Sequence, residues 1–435
     1  MVTTFTGLLA SLRDFGLSSA AIQSTDFSVS DRNAVFWYNL SLSALTSIAV
    51  VLAAPFVSSF YHEEKLEPLL YLSSMGLLAA GISSVHAALL RRDFNLRAIF
   101  FAEIGGLGLG ALTSILLAYI TGQAFSVVIG SLLQGIATSA VIVIFGRWLP
   151  KIDGAIRSHL HHLTFGIRVG TFTILNYITN NIGSAAVGYQ SGSAAMGSFS
   201  RAQSLYALPV SFVLAPHLQV QFPLLCRVRG DNKRTREVYG DLLALTSTLF
   251  IPLAVLLPFV AELVVILVLG PQWRSAGQIL AWLSPSLAAL GLVGPFAQFM
   301  TSQGRLKELQ WWGLADVCLR GGGALIGSWF GPTEAAAGFS FATLMAVPII
   351  VWVTQRDGVF ALEHYARACL PGVLIAVAVG ATAFGVSQLT LSRSVGPLIE
   401  AGIILLASAL PWAFLAAAFH LLPVQVRVLL SHRER

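Results

Sequence analysis

Residues 104–146, IGGLGLGALTSILLAYITGQAFSVVIGSLLQGIATSAVIVIFG, contain no Asp, Glu, Lys or Arg. A helix needs ~20 apolar residues to cross the hydrocarbon core, so this run is long enough for two crossings. Thr121-Gly122-Gln123 supplies the turn between them. Membrane-barrel strands would alternate apolar and polar residues over ~10 positions, and this run does not. The segment reads as two transmembrane helices.

The rest of the chain repeats the pattern. Residues 33–62, 68–90, 169–200 and 275–304 are equally free of fixed charge. Across all 435 residues 56% are hydrophobic, only 11% are charged, and mean hydropathy is +0.77. Soluble domains carry about 25% charged residues, and no soluble core could hide this much apolar surface. Twelve complete spans are expected, at 34–60, 68–90, 99–120, 124–146, 168–189, 194–225, 240–260, 276–301, 309–330, 335–354, 367–390 and 397–422. The expected class is an all-α polytopic membrane protein.

Charge sets the orientation. Of 26 Lys and Arg residues, 19 fall in every second connection, including 91–97, 147–167, 226–239, 302–308, 355–367 and the tail after Pro423. Lys65, Arg274 and Arg393 alone fall in the alternate connections. The positive-inside rule places the basic loops and the C-terminus in the cytoplasm. Basic residues dispersed in this way form no aromatic-interleaved face, so nucleic acid is not an expected partner. Cys226, Cys318 and Cys369 have neither disulfide nor metal-ligand spacing, and no cofactor is expected.

The amino terminus departs from this order. Residues 1–21 are moderately apolar and end near the cytoplasmic side, which would put Met1 on the outer face; the expectation is that a first span and part of a second are missing. A faint internal repeat pairs Pro55-Phe56-Val57 with Pro258-Phe259-Val260, and Gly81…Arg92…Leu96-Arg97 with Gly291…Ser302…Leu306-Lys307. Repeated halves suit a transporter that rocks one bundle against another. Expected domains are a truncated N-terminal bundle (1–150), a C-terminal bundle (151–356) and an accessory helix pair with a basic cytoplasmic tail (357–435).

Several motifs carry a resemblance. Arg13-Asp14-Phe15-Gly16-Leu17-Ser18-Ser19-Ala20-Ala21-Ile22-Gln23, Phe36-Trp37-Tyr38-Asn39-Leu40 and Ala87…Leu89-Leu90-Arg91-Arg92-Asp93-Phe94 lie in the first half. Asn176-Tyr177…Asn181, Gly197-Ser198-Phe199-Ser200-Arg201-Ala202-Gln203-Ser204-Leu205 and Gln272-Trp273…Ala276 lie in the second. Together they resemble the Wzx-type flippases of the polysaccharide transporter family, within the multidrug/oligosaccharidyl-lipid/polysaccharide exporter superfamily. The resemblance implies two pseudo-symmetric six-helix bundles around a central cavity, plus two C-terminal helices. It also implies alternating-access transfer of undecaprenyl-diphosphate-linked oligosaccharide repeat units from the cytoplasmic to the periplasmic leaflet of a bacterial inner membrane, serving exopolysaccharide or related surface polysaccharide. Expected partners are this lipid-linked substrate, membrane lipids and a polysaccharide polymerase with its co-polymerase. The family often places an acidic residue shortly after the position of Asn181; this chain has Gly183 there.

A sugar diphosphate is anionic, and arginine pairs with phosphate through a fork of donors that keeps its charge. Arg201, Arg13 and Arg320 are therefore candidate substrate contacts. Each has a plainer reading: snorkelling to the outer headgroups for Arg201, self-pairing with Asp14 for Arg13, and an ion pair with Asp316 one turn away for Arg320. Arg168, at a helix mouth, reads as an interfacial anchor. Thr173, Asn176, Asn180 and Ser184 share one helix face, with Tyr177 and Asn181 beside it, and suit either sugar hydroxyls or interhelical bonding. Gln203 joins the polar group around Arg201.

Glu103, Asp316 and His217 are candidate coupling residues, with H+ or Na+ both open. Their alternatives are an interfacial carboxylate, an ion-pair partner and a hydrogen-bonded packing histidine. The glycines at 105–110 and 321–323 lack a Gly-Lys-Ser/Thr ending, so they read as packing or bending sites and not as nucleotide loops.

Two other readings stay open. A multidrug or cation exporter of the same superfamily would favour unpaired acids over intramembrane arginines. A membrane polymerase or ligase would need sizeable outer loops, whereas the longest outer connection here, 261–275, is largely apolar. No Ser/His/Asp or paired-carboxylate constellation appears in it, and an enzyme is not expected.

Overall fold

A computed structural model describes residues 29–92, 95–123, 125–151, 160–356, 358, 360–391 and 397–418. They are almost wholly helical, with no strand among the described residues. The helices are α1 (Val29–Tyr61), α2 (Leu66–Arg92), α3 (Leu96–Thr121), α4 (Phe125–Gly146) and α5 (Leu160–Pro209). After them come α6 (Ala215–Arg227), α7 (Asn232–Leu269), α8 (Arg274–Leu283), α9 (Pro285–Ser302), α10 (Leu306–Asp316) and α11 (Gly322–Ser328). Last are α12 (Pro332–Arg356), α13 (Leu362–Leu391) and α14 (Pro397–Ala418). Arg13 and the rest of the first motif lie outside the described residues.

Seven of the described helices are long and apolar enough to cross a membrane, and α8 with α9 make an eighth, bent by 51°. The chain is a multi-pass membrane protein. It divides into two compact units, Met1–Ile178 and Thr179–Arg435. The division falls within α5, later than the 150/151 boundary drawn from sequence.

Local chemistry fixes the ends. Asn95 caps α3 by accepting from the Ala98 amide at 3.4 Å, and Gly122 closes it in the left-handed region (φ 65°) with its N–H on the Ala118 carbonyl. Asp231 caps α7 by accepting from the Lys233 and Arg234 amides, both at 3.0 Å. These partners satisfy backbone groups that a helix end leaves open.

Three expected spans are not continuous α-helices. The spans drawn at 168–189 and 194–225 run together through residues 190–193, where only Gly192 leaves helical geometry (φ 82°, ψ −179°). That bend is open to glycine and strained for any L side chain. Beyond Pro209 the ladder widens into a π turn, Val210–Leu214, with the Ala215 N–H on the Val210 carbonyl. Proline gives its helix no N–H, and a widened turn absorbs the gap.

The span drawn at 276–301 breaks at Ser284, because Pro285 has no N–H for the Ala281 carbonyl. The Ser284 hydroxyl donates to that carbonyl instead, at 2.7 Å. The span drawn at 309–330 carries a second π turn, Val317–Gly321, between α10 and α11.

Within the first unit, Val50, Ala54 and Val57 of α1 pack on Leu66, Leu70 and Leu77 of α2. Helices α3 and α4 meet backbone to backbone: a Cβ on Gly110 would lie 2.7 Å from the Gly130 carbonyl oxygen, while Gly105 and Gly108 face open space. In the second unit, Val187, Phe199, Val265, Ile279, Leu280 and Phe339 share one core. Helix α11 presses on α12 at Gly323 and Gly338, and a Cβ on Gly323 would lie 2.5 Å from the Gly338 carbonyl. Small residues let transmembrane helices approach where lipid gives no hydrophobic drive between them.

The accessory pair docks on α7 by polar bonds: Tyr239 and Tyr365 hydroxyls at 3.1 Å, Ser247 to the Ala368 carbonyl at 3.1 Å, and Trp412 Nε1 to the Thr248 carbonyl at 3.2 Å.

Candidate functional site

Past Gly192, the second arm of α5 presents Ser198, Arg201, Gln203 and Ser204. The Arg201 guanidinium is exposed and its Cζ lies 5.6 Å from the centroid of the Trp273 ring. Trp273 is placed by a single 3-10 turn, Pro271–Trp273, that follows the chain reversal at Gly270 (φ 96°). Ser275 donates to Ser198 at 3.0 Å and ties α8 to the same stretch of α5. The nearby Arg274 is engaged by Glu262 at 2.6 Å. Among the described residues no carboxylate pairs with Arg201. An exposed guanidinium backed by an indole can take an anion in its fork while the ring shields its other face.

Gln203 is occupied differently. Its Nε2 donates to the Asn180 carbonyl at 2.8 Å, and its Oε1 accepts from the Ser184 hydroxyl at 2.5 Å. The side chain thus bridges the two arms of α5. Ser184 is buried, Asn181 is half-buried, and Asn176, Asn180 and Thr173 are exposed. The polar face read from the sequence therefore divides into a buried end at Ser184 and an exposed end at Thr173, Asn176 and Asn180.

Arg320 lies in the interior, 3% exposed, with Asp316 at 5%. Its Nε donates to Asp316 Oδ1 at 2.5 Å and a second bond joins the guanidinium to Oδ2, so the pair is bidentate. Phe339 packs against the guanidinium, 5.6 Å from ring centroid to Cζ. Neither charge is presented to a ligand in this state. The helix-face pairing expected from the sequence is the arrangement found, and the π turn spans the residues after Asp316.

Glu103 is exposed on α3. His217, on α6, is half-buried with Nε2 lacking a partner, and Gln221 one turn later is fully buried with neither amide atom bonded. The cysteines are unpaired, and no group of three metal-binding side chains occurs among the described residues. An apolar cavity of about 330 Å³ lies among Leu253, Leu256, Val379, Leu405 and Trp412. It holds no charged side chain and cannot recognise a phosphate.

Sequence reasoning passed over Trp273 as a site residue. Its signal was present in Trp273-Arg274, an aromatic next to a charged residue at a span end, the position where indole rings favour the interface.

Comparison with known proteins bears on this arrangement. The profile of the family described as "Polysaccharide biosynthesis protein" matches residues 1–278. The teichuronic acid biosynthesis protein TuaB of Bacillus subtilis (strain 168) is 23% identical over 92% of this chain and 84% of its own length. The succinoglycan biosynthesis transport protein ExoT of Rhizobium meliloti (strain 1021) is 23% identical over 75% of this chain and 66% of its own length. The lipopolysaccharide biosynthesis protein WzxC of Escherichia coli (strain K12) is 22% identical, with 62% of this chain spanning 55% of that protein.

Among solved structures, the lipid II flippase MurJ in an inward closed conformation superposes with a TM-score of 0.72 at 14% identity, covering 96% of this chain and 89% of that one. A multidrug resistance MATE family transporter gives 0.62 at 14% identity over 81% and 88%. At these identities the likeness is one of fold.

Proposed function

The chain belongs to the polysaccharide biosynthesis protein family, and from that premise we propose that it moves undecaprenyl-diphosphate-linked oligosaccharide repeat units from the cytoplasmic to the periplasmic leaflet of a bacterial inner membrane. The observation that carries the reading is the exposed Arg201 guanidinium held against Trp273, with no carboxylate paired to it among the described residues. A cationic drug would be repelled there and a diphosphate attracted. Relatives named for polysaccharide biosynthesis and transport, matched over most of the chain, support the substrate class.

In this reading Arg201 takes the diphosphate and Asn176 and Asn180 meet sugar hydroxyls. Gln203 holds the bend at Gly192, and Asp316 with Arg320 stay paired until the second unit rearranges. The C-terminus lies in the cytoplasm, as the basic tail requires. A polymerase and co-polymerase receive the product, and a proton or sodium gradient supplies the energy.

The test is a strain lacking this protein, scored for surface polymer and for the leaflet holding lipid-linked intermediates. Loss of polymer with intermediates retained on the cytoplasmic leaflet is the expected result. Normal polymer with a normal leaflet distribution overturns it, and a drug-efflux panel then tests the exporter reading that the MATE likeness raises.

A further inference from the structure

We propose that the widened turn at Val210–Leu214 slips along α6 to a second seat at Pro223, turning residues 215–222 by about 100° between two registers. Two independent observations point to this: where the turn sits, and what the helix after it buries.

A π turn holds one residue more than the α-ladder around it, and such turns occur frequently where a helix serves a function. Here it follows Pro209, and the Ala215 N–H reaches the Val210 carbonyl. The Ser211 hydroxyl donates to the Ala207 carbonyl at 2.8 Å and bonds across the wide stretch. The centre of the turn faces outward, with Phe212 76% exposed and Val213 41%. Val213 also borders the apolar cavity of about 330 Å³, which gives the turn room to change. Pro223, near the end of α6, interrupts the ladder a second time, because it too lacks an N–H.

What α6 buries fits poorly in the present register. Leu214, Gln221 and Leu225 are each no more than 2% exposed. Between the leucines, neither amide atom of Gln221 finds a partner among the described residues, and Nε2 of His217, one turn earlier, lacks one as well. Stranding a buried polar group is costly. Slippage relieves the amide. Each turned residue moves into the place of the one after it, so Val220 takes the place of Gln221, and Gln221 moves to the half-buried place of Phe222. His217 takes the place of Leu218 against Gly294, where a Cβ would now lie 3.3 Å from Leu218 Cδ1. The far end stays fixed: Thr235 Oγ1 donates to the Val228 carbonyl at 2.9 Å, and residues beyond the second seat keep their phase. The inference uses the second unit alone and holds whatever the chain carries.

The experiment uses the full chain in lipid nanodiscs, with Cys226, Cys318 and Cys369 replaced by Ala. One cysteine pair, Leu218→Cys with Gly294→Cys, reports the present register. The other, His217→Cys with Gly294→Cys and Leu218→Ala, reports the slipped one. A short dithiol-reactive linker is expected to join both pairs. Excising Phe212 removes the extra residue, leaves α6 in its present phase and gives nothing to slip. It should keep the 218/294 link and abolish the 217/294 link, and excising Val213 instead should do the same.

Gln221→Leu takes the stranded amide out of the present register. It should lower the 217/294 yield about tenfold, the weight of one buried polar group left unpaired. Absence of either link in the parent chain overturns the inference. So does a 217/294 link that survives both excisions, or one that Gln221→Leu leaves unchanged.

Discussion

Arg201 and Gln203, two positions apart on α5, serve opposite sides of the helix: the guanidinium lies over Trp273, while the amide is tied to the Asn180 carbonyl. Two residues of helix rotate the side chain by about 200°. One residue is left free to meet a ligand and the other is spent holding the helix to itself.

Arg201→Gln should lower surface polymer roughly tenfold or more, since a charge-assisted phosphate contact is worth about 1.5–3 kcal/mol. Arg201→Lys keeps the charge but loses the fork, and should fall between. The measurement is complementation of the deletion strain, with protein abundance in the membrane quantified in parallel. Wild-type export from Arg201→Gln at normal abundance removes the residue from the site.

The buried pair should behave non-additively. Asp316→Asn leaves Arg320 charged and alone in the interior, a loss of about 3–5 kcal/mol. The double replacement Asp316→Leu with Arg320→Met removes both charges and should recover most of that loss. Thermal unfolding of the purified protein in detergent decides; a double variant no more stable than the single one would show that the pair is not coupled.

Glycines in one run should differ sharply. Gly110→Ala forces α3 off the Gly130 carbonyl and should destabilise by about 1–3 kcal/mol. Gly108→Ala meets nothing within 4 Å and should be neutral or stabilising by up to about 1 kcal/mol. Detergent melting midpoints of the two variants, measured side by side, check the contrast.

Docking of α13 should depend on one hydroxyl more than on its neighbour. Tyr365 accepts from Thr354 at 3.2 Å and meets Tyr239 at 3.1 Å; Thr354 also reaches the Ile350 and Val351 carbonyls, so Tyr365→Phe removes both contacts and strands the buried Tyr239 hydroxyl. A loss of about 1–3 kcal/mol is expected. Tyr239→Phe leaves the Thr354 bond intact and should lose less. Equal midpoints for the two variants would argue against this accounting.

Much of the architecture was readable because lipid imposes simple demands. Charge-free runs of the right length marked α1 to α4, and Thr121-Gly122-Gln123 marked the turn between α3 and α4. Spacing alone paired Asp316 with Arg320. What stayed hidden was local departure inside apolar runs, where hydropathy carries no signal. Residues 190–193 read as a loop because Gln190, Ser191, Gly192 and Ser193 interrupt the apolar run, yet their backbone is helical except at Gly192. Likewise, nothing in the composition of 276–301 distinguishes a straight helix from one broken where Ser284 replaces the missing donor of Pro285. The partnership of Arg201 with Trp273 joins residues far apart in sequence, and helix periodicity is silent about such pairs.

The widened turn at Val317–Gly321 has a bearing on how this helix tolerates insertions and deletions. It accommodates one residue more than an α-turn, and every position after it is dephased by about 100° from the count begun at Leu306. Excising one residue within 317–321 would close the turn to ordinary pitch and leave Gly323 facing Gly338. A one-residue deletion here is absorbed without rotation, and helical-wheel phasing must be restarted at Gly322 before any position on α11 is assigned to a face.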